Sequence, residues 1–281
     1  MKKHARDRKR ITLGAAVLVL SMLAAGCSQA AGMQLKPKGT TTEIKVEQSV
    51  AVATAAKTFT NKDNTIQLKQ LSDKLWIQTT YKDIGDQKVP SNGLIVSTEA
   101  GLVLLDTAWD DTLMQEVMTM INQHIQKKVV LAVITHAHMD RIGGIKTLLD
   151  QGIKVQSSSL TARLALKQGY PEPSGVLDEN PKFQVGETEF ETYYPGAGHT
   201  VDNLVVWLPQ TKTLFGGCVV LGSDATKPGN TDDAYIAQWP DSVRQLMTTY
   251  KEAKFVIPGH GTWGDYSLLQ HTLDLLLAQR T

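Results

Sequence analysis

Residues 110–141 leave the chain little freedom in how it can fold. Over residues 110–128, Leu113, Val117, Ile121 and Ile125 recur every fourth position with Met114 and Met118 beside them, acids lead and lysines close, and an amphipathic helix is expected. Residues 129–135 are then almost wholly apolar and of strand length, the pattern of a strand covered on both faces. A helix that delivers the chain into such a strand is part of a parallel crossover, so helices must lie against a sheet. Immediately past the strand stand His136, His138 and Asp140, three potential metal ligands at alternate positions.

The flanking sequence extends the pattern. Short apolar runs at residues 66–71, 75–81, 93–97 and 102–106 are expected as an antiparallel meander. A second cycle follows, with helices near 142–149 and 160–168, a strand near Ile153 and a proline-containing loop over 170–181. Strands at 189–194, 204–208, 213–215 and 255–257 and helices at 241–252 and 265–279 complete a mixed α/β chain with helices outside and sheets inside. The polar stretch 81–92 is expected as a loop.

Composition bounds the class. With 281 residues, 42% hydrophobic and 20% charged, the chain is globular rather than disordered. Lys2, Lys3, Arg6, Arg8, Lys9 and Arg10 precede an apolar run that is short for a membrane span, so residues 1–26 are expected as an export signal. Its removal takes six of 29 bases and one of 28 acids, leaving 23 against 27, and that acidic balance argues against generic nucleic-acid binding. Small residues leading into Cys27 resemble a bacterial lipoprotein cleavage site. The resemblance implies a lipidated Cys27, a tether over 27–64, a folded domain over 65–281, and a periplasmic protein anchored to the outer membrane. No obligate protein partner is implied. The chain's other cysteine, Cys218, would then be a lone exported thiol, either buried and structural or a metal thiolate.

The remaining ligand types also adjoin expected strands. His199 follows Gly198, Cys218 follows Gly216 and Gly217, and His260 lies between Gly259 and Gly261; glycines let backbone approach a bound ion closely. His136, His138, His199, Asp140, Cys218 and His260 divide into two sets of three, and three protein donors with an open position form a catalytic arrangement. Imidazole and thiolate select zinc, and two such ions would draw an anionic substrate and activate water, giving hydrolysis of a carbonyl or phosphoryl bond. His124 and His271 fall in expected helices without other ligand types nearby, and Met139 is expected to pack away from the ligands.

These motifs, His136-Ala137-His138-Met139-Asp140-Arg141, Gly198-His199-Thr200-Val201-Asp202-Asn203, Gly216-Gly217-Cys218, Gly229-Asn230 and Pro258-Gly259-His260-Gly261, resemble in order and spacing the metallo-β-lactamases of the first, cysteine-using subclass. The resemblance implies an αββα sandwich, two mixed sheets flanked by helices. It implies a first zinc on His136, His138 and His199 and a second on Asp140, Cys218 and His260. The implied activity is hydrolysis of the amide bond of penicillins, cephalosporins and carbapenems by a zinc-bound hydroxide, conferring antibiotic resistance. By the same resemblance Asp140 orients the nucleophile, Asn230 donates to the developing oxyanion, Asp106 and Arg141 support the ligands, and residues 81–92 form a flap over the groove. Many relatives carry a substrate-binding lysine where this chain has Leu221; Lys227, or Ser223, is the candidate replacement. Leu221 keeps open a competing expectation, a di-zinc hydrolase of a thioester, another ester or a phosphodiester.

Overall fold

The computed structural model describes residues 56–279; the export segment, Cys27 and the tether up to residue 55 lie outside the described residues. Among the described residues, eight strands join in sequence order in a first sheet: β1 (Thr58–Thr60), β2 (Ile66–Gln70), β3 (Leu75–Ile84), β4 (Gln87–Ser97), β5 (Leu102–Leu105), β6 (Val129–Val133), β7 (Lys154–Ser157) and β8 (Ser174–Gly175). Pairing is antiparallel from β1 to β5 and parallel from β5 to β8. The change falls where helices begin to intervene: α1 (Asp111–His124) precedes β6, α2 (Met139–Ile142) and α3 (Ile145–Asp150) precede β7, and α4 (Ser159–Lys167) precedes β8. The second sheet contains β9 (Lys182–Val185), β10 (Thr188–Tyr193), β11 (Val205–Leu208), β12 (Thr213–Gly217) and β13 (Phe255–Pro258), with α5 (Trp239–Thr249) crossing from β12 to its parallel neighbour β13 and α6 (Ser267–Ala278) following.

Strand alternation sorts the apolar residues into three cores. In β5, Leu102 and Leu104 face α1 and α3, whereas Val103 and Leu105 face the second sheet; in β6, Ala132 and Val133 divide in the same way. In the second sheet, Val206, Phe215 and Ile257 meet the first sheet, while Val205, Leu214 and Val256 pack with Trp239 of α5 and with Leu269 and Leu273 of α6. Helix, sheet, sheet and helix therefore stack as four layers, each interface being apolar on both sides. A fully buried aliphatic side chain contributes about 1.5–3 kcal/mol, so the layering is strongly specified.

Four expectations change. β1 lies within the stretch assigned to the tether: Phe59 stacks on His124 at 3.9 Å, and Asn61 receives the backbone N–H groups of Thr65 and Ile66, so packing and turn chemistry extend the fold upstream of residue 65. Residues 81–92 are not a loop, because β3 and β4 remain paired out to Ile84 and Gln87 around the Gly85–Asp86 turn. The hairpin tip projects beyond both cores and is exposed on both faces, so its polarity reflected solvent rather than a break in the strands. The first helix ends at His124 rather than Lys128; Gln126 adopts a left-handed conformation and Lys127 reaches Ser97 instead. Met139 is exposed, with its sulfur 3.8 Å from Lys82 Nζ, because the segment turns helical after His138 and strand-like alternation stops there.

Gly143 joins α2 to α3 where a Cβ would fall against the backbone carbonyls of Trp109 and Met139. Gly143→Ala is expected to cost about 2 kcal/mol and to lower the melting temperature by about 4–8 °C. Thermal unfolding followed by circular dichroism checks this; an unchanged midpoint would mean that the helix pair yields freely.

Candidate metal centre

The ligand candidates come from the carboxyl ends of β6, β12 and β13 and from the loop after β10, so both sheets contribute. The parallel register sets Gly217 beside Pro258, and Gly259 N–H donates to the Gly217 carbonyl over 2.7 Å, which brings Cys218 and His260 together. Gly259 has no room for a side chain: a Cβ would stand 2.6 Å from Cys218 Sγ. The Asp140, Cys218 and His260 donor atoms lie within 4.8 Å of one another, as do those of His136, His138 and His199. All six expected ligands therefore converge, in the two sets of three that the resemblance implied.

Hydrogen bonds decide which nitrogen of His136 and of His138 is free, and how His260 is protonated. Asp106 sits at the end of β5 with φ +64, a left-handed conformation that aspartate tolerates better than most residues. Its carboxylate receives Thr135 N–H at 2.7 Å and the Thr135 hydroxyl at 2.9 Å. With that proton committed, Thr135 Oγ1 accepts from His136 Nδ1 over 3.2 Å, leaving His136 Nε2 as a bare lone pair. That atom is buried without a hydrogen-bond partner among the described residues. His260 Nδ1 donates to the Pro90 carbonyl at 2.5 Å and its Nε2 meets Asp140 Oδ2 at 3.0 Å, so both ring nitrogens face groups that only accept, the arrangement of a protonated imidazole. His138 Nε2 donates to Asp233 at 2.9 Å, turning Nδ1 toward His199 Nε2, 3.1 Å away.

The two groups differ electrically. Burial first, and the neighbouring histidines second, hold His136 well below the ordinary imidazole range, and the same causes bring His199 down to about 3. His136 and His199 are thus neutral donors. In the second group burial would lower His260, but charge on Cys218 and the hydrogen bond to Asp140 outweigh it and carry its pKa up to about 10. Burial alone would raise Asp140, yet Arg141 and His260 hold it well below the carboxylate range. An orphaned buried nitrogen in one group and a strong preference for positive charge in the other both fit divalent cations, and thiolate with imidazole fits zinc.

Arg141, fully buried, joins these parts. Its Nη2 lies 2.6 Å from Asp140 Oδ2, its Nη1 donates to the Asn92 carbonyl at 2.5 Å and stands 3.4 Å from Asp106, and Nη2 also donates to the Gly259 carbonyl at 2.7 Å. Burial raises Asp106 to about 6 against the pull of Arg141 and Thr135, so it is ionised at neutral pH.

Asn230 and Lys227 stand apart from this cluster, exposed on the loop between β12 and α5; the Asn230 carbonyl oxygen accepts Asp232 N–H and closes its own turn. Leu221 is buried in the outer core, its N–H held by Thr272. Trp109 is buried with its ring centroid 6.2 Å from that of His260. Sequence reasoning missed Thr135, Asp202, Asp233, Ser91 and Asn92. Asp202 accepts Ala137 N–H at 3.0 Å and the Thr161 hydroxyl, Ser91 donates to the Asp140 carbonyl, and the Asn92 amide donates to the carbonyls of Pro258 and Gly261. Of these, only Asp202 sat within a recognised motif.

A four-layered α/β fold with histidine, aspartate and cysteine donors gathered at the ends of its sheets defines a metal-dependent hydrolase of the αββα class. The chain belongs to the metallo-beta-lactamase superfamily, whose family pattern matches residues 87–260. It is 44% identical over 247 residues to the "Metallo-beta-lactamase type 2" of Bacillus sp. (strain 170), covering 87% of this chain and 96% of that protein. With the protein of the same name from Bacillus cereus it shares 46% identity over 220 residues, covering 78% and 86%. The solved metallo-beta-lactamase from Pontibacter korlensis superposes with a TM-score of 0.73 at 44% identity, covering 75% of this chain and 99% of that one.

Thr135→Val keeps the side chain's shape but removes the hydroxyl that fixes the His136 tautomer. Zinc affinity of the three-histidine group is expected to fall about 10- to 100-fold, as for other lost outer partners of metal-bound histidines. Competition against a chromophoric chelator measures it, and undiminished affinity would show that the hydroxyl does not position His136.

Proposed function

We propose that this protein hydrolyses the amide bond of β-lactam antibiotics with two zinc ions, one on His136, His138 and His199 and the other on Asp140, Cys218 and His260, and so protects its bacterium from them. The observation that carries the reading is the convergence of two electrically distinct sets of three donors on one edge of the sandwich. The type 2 metallo-beta-lactamase relatives support the same reaction. We place the enzyme in the periplasm, held to the outer membrane by lipid on Cys27; the basic, apolar leader ending at that cysteine supports this placement.

Zinc, when bound, supplies a Lewis acid and lowers the pKa of a coordinated water from about 15.7 to about 7, so a nucleophile exists at neutral pH. The three-histidine group contains no anionic donor and therefore keeps its position the more positive, the place to which a carbonyl oxygen is drawn. Asp140, Cys218 and His260 would hold the other ion, and the charge of Asp140 and Cys218 would offset part of that ion's charge. Asp140 turns Oδ2 toward Arg141, His260 and Cys218. Its Oδ1 takes no part in these contacts and is the atom free to orient the nucleophile. Asn230, with its carbonyl oxygen occupied by Asp232, has its amide N–H groups free to donate to a developing oxyanion, and exposed Lys227 offers a cation to a substrate carboxylate.

Loss of carbapenem ultraviolet absorbance on ring opening tests the proposal. Turnover by the zinc-loaded protein, abolished by a chelator, restored by added zinc and reduced by Cys218→Ser, is expected. A protein that holds two zincs per chain and opens no β-lactam would overturn it.

A further inference from the structure

Cys218 and His260 reach the second donor group on separate segments, and whatever fastens those segments together governs how that group meets an ion. Gly259 N–H on the Gly217 carbonyl fastens them just before the two donors. Beyond Cys218 the chain runs through Val219, Val220 and Leu221, all buried in the outer core. The Val219 carbonyl accepts from Trp239 Nε1 at 2.8 Å, and Leu221 N–H donates to the Thr272 hydroxyl oxygen at 3.0 Å, so these bonds run to α5 and α6. At Gly222 the chain returns to the His260 turn. A Cβ there would stand 2.7 Å from the His260 carbonyl oxygen and 2.9 Å from Thr262 N.

A second fastening follows at once. Ser223 N–H donates to the Thr262 carbonyl at 3.0 Å, and Thr262 N–H donates to Asp224 Oδ1 at 2.7 Å. The two bonds copy the reciprocal pair that antiparallel strands exchange, with a carboxylate in place of one backbone carbonyl. Ala225 N–H closes a turn on the Gly222 carbonyl, and His271 Nε2 of α6 meets the Ala225 carbonyl at 3.1 Å, so the turn that presents Asp224 is itself held. The carboxylate lies against Gly261, whose φ is +76 and where a Cβ would fall on Asp224 Oδ1. From the first sheet, the Asn92 amide donates to the Gly261 carbonyl at 2.8 Å. The residues directly after His260 are therefore gripped from both sides.

We infer that Asp224 is a positioning residue of the second metal group: by tying Thr262 to the chain that carries Cys218, its carboxylate sets the spacing of thiolate and imidazole, and with it the affinity for an ion. This rests on the placement of an ion on Asp140, Cys218 and His260 proposed above, and on no substrate. Asp224 is exposed, so water competes for its bond and its effect falls at the low end of the range for outer partners of metal donors. His138 is held by Asp233, from the far end of the same loop, so the three-histidine group is expected to keep its affinity.

Cobalt(II) replaces spectroscopically silent zinc in the test, titrated into the metal-free full chain against a chromophoric chelator. The near-ultraviolet thiolate-to-cobalt charge-transfer band follows the second group, and its loss in Cys218→Ser assigns it. Asp224→Ala is expected to weaken binding that gives this band about 10-fold and to leave the three-histidine group unchanged. Asp224→Asn, which keeps an oxygen acceptor for Thr262 N–H, restores the affinity. Undiminished affinity in Asp224→Ala, or an equal loss in both groups, overturns the inference. So does an equal loss in Asp224→Asn, which would make the carboxylate's charge, not its hydrogen bond, responsible. A wild-type chain with no Cys218-dependent band overturns the placement of the ion itself, whereas a normal band with unresponsive variants overturns the role of Asp224 alone.

Discussion

A guanidinium with no access to solvent holds the centre together. Arg141 faces two carboxylates and two backbone carbonyls, from the end of β5, from β4 and from the loop after β13, while its own backbone carbonyl accepts from Thr107. Removing such a charge from water is costly, and the cost is offset only when every donor of the planar fork finds an acceptor in register. Burial opposes its protonation, but Asp140, Cys218 and Asp106 outweigh that and keep it firmly charged. Loss of the fork would strand two buried acids, so the relative positions of the first sheet, the hairpin and the His260 loop are all tied to this one side chain.

Around this anchor the structure sets proton positions before any metal is considered. Carbonyl and carboxylate partners can only accept, and their placement at Asp233 and, through Thr135, at Asp106 dictates which nitrogens of His138 and His136 are bare, while the Pro90 carbonyl fixes the proton on His260 Nδ1. The donor set is preorganised because its tautomers follow from backbone and from neighbours, not from the ligands themselves.

Much of this was legible in the sequence, for reasons that separate local signals from distant ones. Residues 129–135 announced a doubly covered strand because both of its faces are buried, and the candidate ligands announced themselves by chemical type, His199, Cys218 and His260 also by the glycines beside them. The hairpin beyond Tyr81 was misread because polarity there reports exposure on both faces, which mimics a loop. β1 was missed because its support comes from His124 and Asn61, a stacked ring and a capped turn rather than a periodic pattern. Thr135, Asn92 and Asp233 carry no sign of their roles; each matters through a partner remote in sequence, and a common residue type gives no warning of that.

The loop between β12 and α5 is fastened at both ends to the chemistry. Near its start Asp224 accepts Thr262 N–H, two residues beyond His260, and near its finish Asp233 grips the outer nitrogen of His138. A molecule that displaces this loop therefore pulls on a donor from each set at once. By thermodynamic reciprocity, whatever such displacement does to the hold on the ions, the ions do to the loop's willingness to move. The loop and the two candidate donor sets are, in this sense, one mechanical element.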